Sequence, residues 1–389
     1  MDKLKDVVDN TLVPHSAFQA ASTRLEQCFK NADGTVEPIG LAVIGESRTG
    51  KSRALEECAT KHPSIRNADG LHLPILRVKT PSKPTVKGLV EVMLRALSDP
   101  KFDKGTEQAR TGRLETLMRG AGTRMVMIDE FQHFYDKGSH KVMHHVADWL
   151  KILVDDTRVA LIVAGLPSCG AVLDQNEQLA GRFLAPIRMP RFDWQIAAHR
   201  EEFIGILGAF QESLADHFNL PALDTSEMAF RCYCGSGGLI GYLTRFLRQA
   251  VWNAIDEHCR SITLEDLARA HDESVWSRNG LSDVAAPFSR KFVTLPSEEL
   301  LARISRIGTA AEEANDLKPR RPRTPPGSSA RGLKTRLRQQ VGRRQRGRGA
   351  LRPFCTRPLN SQVCRLSSEP RTHHRLQETG GAVRFLLTC

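Results

Sequence analysis

The chain has 389 residues, of which 40% are hydrophobic and 26% are charged, which is typical of a globular protein with one or two domains. No apolar run is long enough to span a membrane, and the first ten residues lack a signal-peptide core, so we expect a cytoplasmic protein without a membrane partner. The net charge of +12 is uneven: residues from Lys318 onward carry 18 Lys and Arg against two Glu, and the rest carries 38 against 42 Asp and Glu.

Short apolar runs alternate with helix-forming segments in the first half of the chain. The predicted strands cover residues 41–44, 73–78, 125–129 and 159–165. The predicted helices cover residues 17–29, 53–59, 86–97, 114–118 and 142–154. Strands that alternate with helices predict an α/β fold with a doubly wound parallel sheet, whose ligand binds at the carboxyl ends of the strands.

Strand signals vanish from about residue 192. The predicted helices here cover residues 199–218, 225–233, 239–259 and 263–274, with Thr263 as an N-cap and Asp266 at the third helical position. The expected divisions are an N-terminal helical segment 1–35, a nucleotide-binding domain 36–191, an all-α lid 192–290, a linker or helix 291–317 and a tail 318–389.

A complete G-x-x-x-x-G-K-S motif lies between the first predicted strand and the helix that follows it. The predicted phosphate-binding residues are Gly45, Glu46, Ser47, Arg48, Thr49, Gly50, Lys51 and Ser52. The glycines let backbone N–H groups surround an anion, and the helix N-terminus adds positive charge. Lys51 is expected to contact the β- and γ-phosphates, and Ser52 to contribute a hydroxyl to Mg²⁺. The motif therefore predicts a site for ATP and Mg²⁺.

A second half of this site is predicted about eighty residues later. Asp129 and Glu130 follow an apolar run, as expected at the carboxyl end of a central parallel strand. Asp129 is expected to hold the Mg²⁺ shell and Glu130 to activate the attacking water, which indicates hydrolysis as well as binding. The alternative is two solvated carboxylates at a strand end. With Gln132, the pair forms an Asp-Glu-x-Gln string that also occurs in helicases.

This order of motifs resembles the AAA+ ATPases, and several segments narrow the resemblance to the TniB/TnsC family of transposition ATPases. The segments that carry it are 15–18, 81–84, 165–168 and 176–183. IstB-like proteins are more distant relatives. The resemblance covers roughly residues 13–276.

The resemblance implies that Arg182 is an arginine finger, which stabilises the transition state in a neighbouring subunit and so requires a homo-oligomer. A surface salt bridge is the alternative. The sequence departs from the family at two sensor positions. Leu166 stands where a small polar sensor residue is usual; Ser168 is either its replacement or an ordinary loop serine. In the lid, Arg245 and Arg248 lie one turn or more beyond the expected place of the second sensor arginine. Either is a candidate to contact the γ-phosphate, but a surface charge is the favoured interpretation of both. We therefore expect slow ATP turnover.

The family also implies ATP-dependent rings or filaments on duplex DNA and a transposase partner. The candidate phosphate contacts are Lys83, Lys87, Lys101, Lys104 and Arg110, each of which is otherwise a solvated surface charge. His133, His144 and His145 lack the spacing of a metal site and are expected to pack or to lie at the surface. Nine cysteines without a C-x-x-C pair indicate reduced thiols.

The tail is rich in Pro, Gly, Ser and Arg, which favours disorder. It is either a non-specific nucleic-acid arm, or a linker or altered reading frame without function. The favoured function is an ATPase that regulates transposition by assembling on DNA without sequence preference. The alternatives are a helicase or helicase loader, and an interaction protein that uses nucleotide as a switch with vestigial hydrolysis.

Overall fold

The computed structural model describes residues 2–11, 15–32, 37–68, 70–275 and 286–308, so the tail 318–389 lies outside the described residues. The helices are α1 Asp2–Lys5, α2 Val7–Asn10, α3 Ser16–Asn31, α4 Lys51–Lys61, α5 Val86–Ala96, α6 Glu107–Gly120, α7 His133–Asp136, α8 His140–Thr157, α9 Cys169–Leu173, α10 Glu177–Ala180, α11 Ala197–Ala215, α12 Ser226–Ser236, α13 Ile240–Asp256, α14 Leu264–Ser274 and α15 Glu298–Ile304. The strands are β1 Gly40–Gly45, β2 Ile65–Asn67, β3 Gly70–His72, β4 Ile75–Lys79, β5 Met125–Asp129, β6 Ala160–Gly165 and β7 Ile187–Met189.

The predicted parallel sheet is confirmed, with the strand order β4-β5-β6-β1-β7 among the described residues. Alternate residues of each strand pack into different cores, as the two-residue period of a strand requires. In β1, Leu41 and Val43 face α3 and α4, whereas Ala42 and Ile44 face α5, α6 and α8. Burial on both faces explains why the strands read as continuous apolar runs.

Three strands were not predicted from the sequence. β7 has only three residues and lies between Pro186 and Pro190, yet it forms the sheet edge beside β1. β2 and β3 form a separate antiparallel hairpin whose residues are mostly exposed. β7 is too short to show a hydrophobic period, and the exposed residues of β2 and β3 do not alternate between apolar and polar. These strands therefore cannot be recognised from the hydrophobic pattern of the sequence.

The four helices predicted after residue 192 are confirmed as α11–α14, which pack around one apolar core. The capping box that opens α14 is also confirmed, because Thr263 and Asp266 exchange side-chain and backbone hydrogen bonds. Val8 from the N-terminal segment and Ile304 and Ile307 from the C-terminal segment are buried in the same core. Both ends of the described chain thus pack on the helical region, and the exact domain boundaries stay predictions.

Burial dominates the chemistry of most of the described cysteines, which are free thiols. It raises the pKa of Cys58 to about 12, with Glu26 nearby adding to the effect, and the pKa of Cys169 to about 12. Such thiols are unreactive at neutral pH.

Within the described ranges, no helix combines the length and apolar character required to cross a bilayer.

Candidate functional site

A cavity of about 300 Å³ brings together the two sequence motifs. Its lining residues are Ser47, Arg48, Gly50, Lys51, Ser52, Arg53, Glu130, Gln132, Leu166 and Gly241. They come from the loop after β1, from the first turn of α4, from the residues that follow β5 and β6, and from the first turn of α13. The structure therefore places the Lys-Ser and Glu of the predicted site around one space at the carboxyl edge of the sheet.

The loop between β1 and α4 has its glycines where the backbone needs them. A Cβ on Gly45 would lie 2.3 Å from the carbonyl oxygen of Met189 in β7, so only glycine fits this approach. Gly50 has a φ of 96°, which glycine adopts without strain, and Arg48 also has a positive φ of 68°. The chain then enters α4 at Lys51, so the N–H groups of the first helical turn are directed toward the cavity.

Lys51 is held against this loop by backbone carbonyls. Its Nζ donates to the oxygens of Gly45 at 2.9 Å and Glu46 at 2.6 Å, and only 9% of the residue is exposed. Buried polar groups require such partners. The loop carbonyls therefore hold the ammonium group in the cavity lining.

Asp129 offers an acceptor oxygen that none of the described residues uses. The residue is 1% exposed, and its Oδ1 accepts a hydrogen bond from the backbone N–H of Glu130 at 2.9 Å. Its Oδ2 is buried and has no hydrogen-bond partner among the described residues. A buried carboxylate oxygen without a partner is costly, and a hydrated cation would satisfy it. The residues present thus fit Mg²⁺, because Asp129 ends β5 directly before Glu130, which lines the cavity together with Ser52.

Glu130 is half-buried and has a φ of 55°, an unusual backbone conformation for a residue other than glycine. Its Oε2 accepts a hydrogen bond from Nε2 of Gln132 at 2.5 Å. The Oε1 of Gln132 in turn accepts from the backbone N–H of Leu166 at 3.2 Å. In the sequence, Gln132 is recognisable only as part of the Asp-Glu-x-Gln motif. Its partner Leu166 lies 34 residues away, so the motif does not indicate this contact.

The helical region closes against the phosphate loop through α13. The N–H of Gly241 donates to the carbonyl oxygen of Arg48 at 2.9 Å, and a Cβ on Gly241 would lie 2.8 Å from the Cβ of Arg48. The guanidinium of Arg48 stacks over the ring of Tyr242 at 4.5 Å. These contacts require close approach of the two backbones, which explains the glycine at position 241.

Arg191 joins the same two regions from the other side. It pairs with Oε2 of Glu46 at 2.5 Å and donates to the carbonyl oxygens of Gly237 and Ile307, each at 2.7 Å. Its side chain is 11% exposed. One arginine therefore links the phosphate loop to the end of α12 and to the residues after α15, through contacts too distant in the sequence for a local pattern to indicate.

Neither Arg245 nor Arg248, the two alternative candidates for a second sensor, is among the residues that line the 300 Å³ cavity. Arg248 pairs with Asp9 at 2.9 Å and lies over the ring of Trp252. Arg245 is half-buried. Ser168, the candidate to replace the first sensor, is also absent from the lining, whereas the polar side chain of Gln132 is present.

A second cavity of about 390 Å³ adjoins the first and shares Gly50, Arg53 and Gly241 with it. The remaining lining residues are Val8, Asp9, Thr11, His15, Phe18, Glu56, Phe210, Ile240 and Thr244. His15 is buried between Phe18 and Phe192, and its Nδ1 has no hydrogen-bond partner among the described residues. Burial lowers the pKa of His15, although Glu202 opposes the shift.

Comparison with known proteins decides the family. Residues 3–194 match the family model described as "Bacterial TniB protein". The chain belongs to the TniB family. No curated protein matches it significantly.

Comparison with solved structures identifies the fold of this TniB-family chain. Cdc6p from Pyrobaculum aerophilum is 14% identical, with a TM-score of 0.52 and coverage of 70% of this chain and 72% of that chain. The ADP form of the ORC2 protein from Aeropyrum pernix is 14% identical, with a TM-score of 0.50 and coverage of 70% and 73%. The predicted AAA+ P-loop fold is thereby confirmed. Family and fold together support a transposition-associated AAA+ ATPase.

In this TniB-family chain, Arg182 lies at the opposite end of β1 from the phosphate loop. Its carbonyl oxygen accepts from the N–H of Gly40, the first residue of β1, whereas the loop begins at Gly45. Five residues of strand separate the two points by roughly 17 Å. The guanidinium pairs with Asp155 of α8 and donates to the carbonyl oxygen of Gln178 at 3.2 Å. Arg182 is thus not among the residues that line its own subunit's cavity.

The predicted DNA contacts of the TniB-family chain differ in their surroundings. Lys83 and Lys87 are exposed on the loop before α5 and on its first turn. Lys104 is exposed but pairs with Asp103 at 3.2 Å. Arg110 is placed differently from the expectation: it is 4% exposed, pairs with Glu91 at 3.2 Å and donates to the carbonyl oxygens of Gly105 and Asp103. A buried arginine that supports a loop is not available to a DNA phosphate.

Of the histidines singled out in the sequence, His144 and His145 of α8 contact acidic side chains, whereas the buried Nδ1 of His133 has no hydrogen-bond partner among the described residues. His144 lies within 3.4 Å of Asp148, and His145 lies within 3.0 Å of Glu107. Within the described ranges, no group of three or more His, Cys, Asp or Glu is arranged to hold a metal ion.

Proposed function

We propose that this TniB-family protein binds and hydrolyses ATP, assembles on duplex DNA without sequence preference, and recruits or activates a transposase there. One observation carries the proposal: the cavity brings Lys51 together with Glu130, which directly follows Asp129 at the end of β5, while Arg182 lies at the other end of β1. Such a site is incomplete within one subunit, because the cation that would stabilise the transition state must come from a neighbour.

The triphosphate would lie along the loop between β1 and α4. Backbone N–H groups of the loop and of the first turn of α4 would donate to the phosphate oxygens. Lys51 would exchange its contacts with the Gly45 and Glu46 carbonyls for the β- and γ-phosphates. Ser52 and Asp129 would hold Mg²⁺, which neutralises charge on the phosphates when bound.

The adjoining cavity is suited to the base of the nucleotide. Phe18, Ile240 and Phe210 provide apolar surface, and His15 provides a buried ring nitrogen without a partner. Because Ile240 belongs to α13, a bound base would contact both the sheet side and the helical region. ATP binding would therefore stabilise the closed arrangement of these two regions.

Glu130 would act as the general base. It would accept a proton as the water oxygen attacks the γ-phosphorus, and the bond from that phosphorus to the bridging oxygen of ADP would break. Hydrolysis would then return the assembly to its ADP state and release it from DNA. The Arg182–Asp155 pair would need to open for Arg182 to reach the neighbouring nucleotide.

Two inactive variants should restore activity to each other if Arg182 acts between subunits. Glu130→Gln and Arg182→Ala should each have little DNA-stimulated ATP turnover alone. In an equal mixture, an active site needs Glu130 from one subunit and Arg182 from its neighbour, so about a quarter of the contacts should be complete. We expect about a quarter of the parent turnover, measured as phosphate release with duplex DNA.

The control for this mixture is Lys151→Ala, which removes the other partner of Asp155 at 3.3 Å and leaves Arg182 in place. This variant should turn over ATP like the parent. No recovery in the mixture, from variants that still bind ATP and assemble, would show that Arg182 does not act in trans.

DNA binding should separate into an ATP-independent and an ATP-dependent part. A chain cut after Asn315 loses the basic tail, so its salt-sensitive DNA affinity without ATP should fall. Its ATP-dependent affinity should remain, since the nucleotide residues and Lys83 and Lys87 are retained.

Lys83→Ala/Lys87→Ala in this shortened chain should weaken the ATP-dependent DNA affinity and reduce the dependence of that affinity on salt concentration. Binding isotherms across a salt series measure both.

The matched control is Lys30→Ala/Lys61→Ala, which removes the same charge from α3 and α4 on the opposite face of the sheet from α5. This pair should bind DNA like its parent. If the shortened chain binds ATP but no DNA, the tail is the DNA-binding segment and the proposed lysines are not. Strand separation by the full chain would instead identify a helicase.

A further inference from the structure

The amide of Gln132 connects the ends of two neighbouring strands inside the candidate site. Its Nε2 donates to Oε2 of Glu130 at 2.5 Å, and its Oε1 accepts from the N–H of Leu166 at 3.2 Å. The residue is only 5% exposed, yet it belongs to the cavity lining. Both polar ends of this side chain are therefore used, one by the proposed general base and one by the segment after β6.

The surrounding backbone is shaped to admit this amide. A Cβ on Gly165 would lie 2.2 Å from Oε1 of Gln132, so a larger residue at position 165 would displace the side chain. The N–H of Phe131 donates to the carbonyl oxygen of Ala164 at 2.9 Å, which fixes the peptide before Gln132 to β6. Rotation of the amide away from Glu130 would leave buried polar groups without hydrogen-bond partners, which is unfavourable in free energy.

We propose that Gln132 is a positioning residue for Glu130, and that through Leu166 it couples the general base to the segment that follows β6. This inference rests on the proposed ATP hydrolysis. With one carboxylate oxygen held by the amide, Glu130 has a fixed orientation and its other oxygen remains for the attacking water. The side chain of Leu166 has no polar group, so Gln132 brings the polar contact to this position from the neighbouring strand.

Gln132→Met keeps the length of the side chain and removes both hydrogen bonds. We expect ATP turnover to fall by about 10- to 100-fold, because a general base misplaced by about 1 Å loses rate on that scale. The dissociation constant for ATP should change by less than about twofold, since the phosphate loop and Lys51 are untouched. Single-turnover kinetics and calorimetry separate the two effects.

The decisive comparison is a double-mutant cycle with Glu130→Gln. If Gln132 acts through Glu130, adding Gln132→Met to Glu130→Gln should cause no further loss of rate. Parent-like turnover in Gln132→Met, or the same fold-loss in both backgrounds, would overturn the inference. If Glu130→Gln alone keeps the parent rate, the proposed hydrolysis site itself is wrong.

Two further variants guard against a loss of folding. Gln132→Glu keeps an oxygen for the Leu166 N–H but replaces the donor to Glu130 with a second carboxylate, so it should turn over ATP slowly, and thermal unfolding measures whether its fold is retained. Parent-like turnover in this variant would contradict the role of the Glu130 contact. Gln211→Met removes a similar bond in the helical region, where Oε1 accepts from the N–H of Leu223 at 3.1 Å. It should leave turnover unchanged, and a loss as large as that of Gln132→Met would contradict a specific role for Gln132.

Discussion

Glu130→Gln should reduce ATP turnover by at least about 100-fold while ATP affinity stays within about twofold of the parent. Glutamine has the same shape as glutamate and can still accept the hydrogen bond from Gln132, but it cannot take a proton from water. Because Lys51 and Asp129 remain, ATP should bind and persist. Assemblies on duplex DNA should consequently outlive those of the parent.

Steady-state phosphate release, ATP calorimetry and the lifetime of DNA complexes measure these three properties. Glu115→Gln is a suitable control, because Glu115 lies on α6 and pairs with the exposed Arg119 at 3.7 Å. Turnover at the parent rate in Glu130→Gln would mean that another group activates the water.

Lys51→Ala should weaken ATP binding by at least about 30-fold, since hydrogen bonds from a charged donor to phosphate contribute about 1.5–3 kcal/mol each. The folded state should survive, because Lys51 contacts the Gly45 and Glu46 carbonyls of its own loop and adds little to the apolar cores. Isothermal calorimetry with ATP and thermal unfolding without it measure the two effects.

Lys61→Ala provides the comparison for this second variant. Lys61 lies at the other end of α4 and pairs with Glu57 at 2.9 Å, so its removal should leave ATP affinity unchanged. Unchanged affinity in Lys51→Ala as well would discard the assignment of the phosphate site.

The sequence was sufficient to predict the parts of the site whose signals are local. The run Leu41–Ile44 indicates a buried strand, and the G-x-x-x-x-G-K-S motif that follows requires a specific turn into a helix. The Asp129–Glu130 pair ends a second buried strand. Parallel strands place such ends together, so the motif and the carboxylates could be assigned to one edge of the sheet.

The features that were missed depend on partners far apart in the sequence. Gln132 contacts Leu166, and Arg191 contacts Glu46, Gly237 and Ile307, at separations that local patterns do not encode. Arg110 is the opposite case, because it was predicted to contact DNA at the surface but is buried. Its exposure could not be judged from the sequence, because its burial depends on Glu91 and on the fold of the preceding loop.

The close contact between Gly45 and the Met189 carbonyl has a consequence for synthesis. The strand β7, which forms a wall of the proposed phosphate loop, follows that loop by more than one hundred residues, and Gly241 follows later still. Long-range contacts of this kind slow folding. The walls of the proposed nucleotide site are therefore complete only after β7 and the start of α13 have been synthesised.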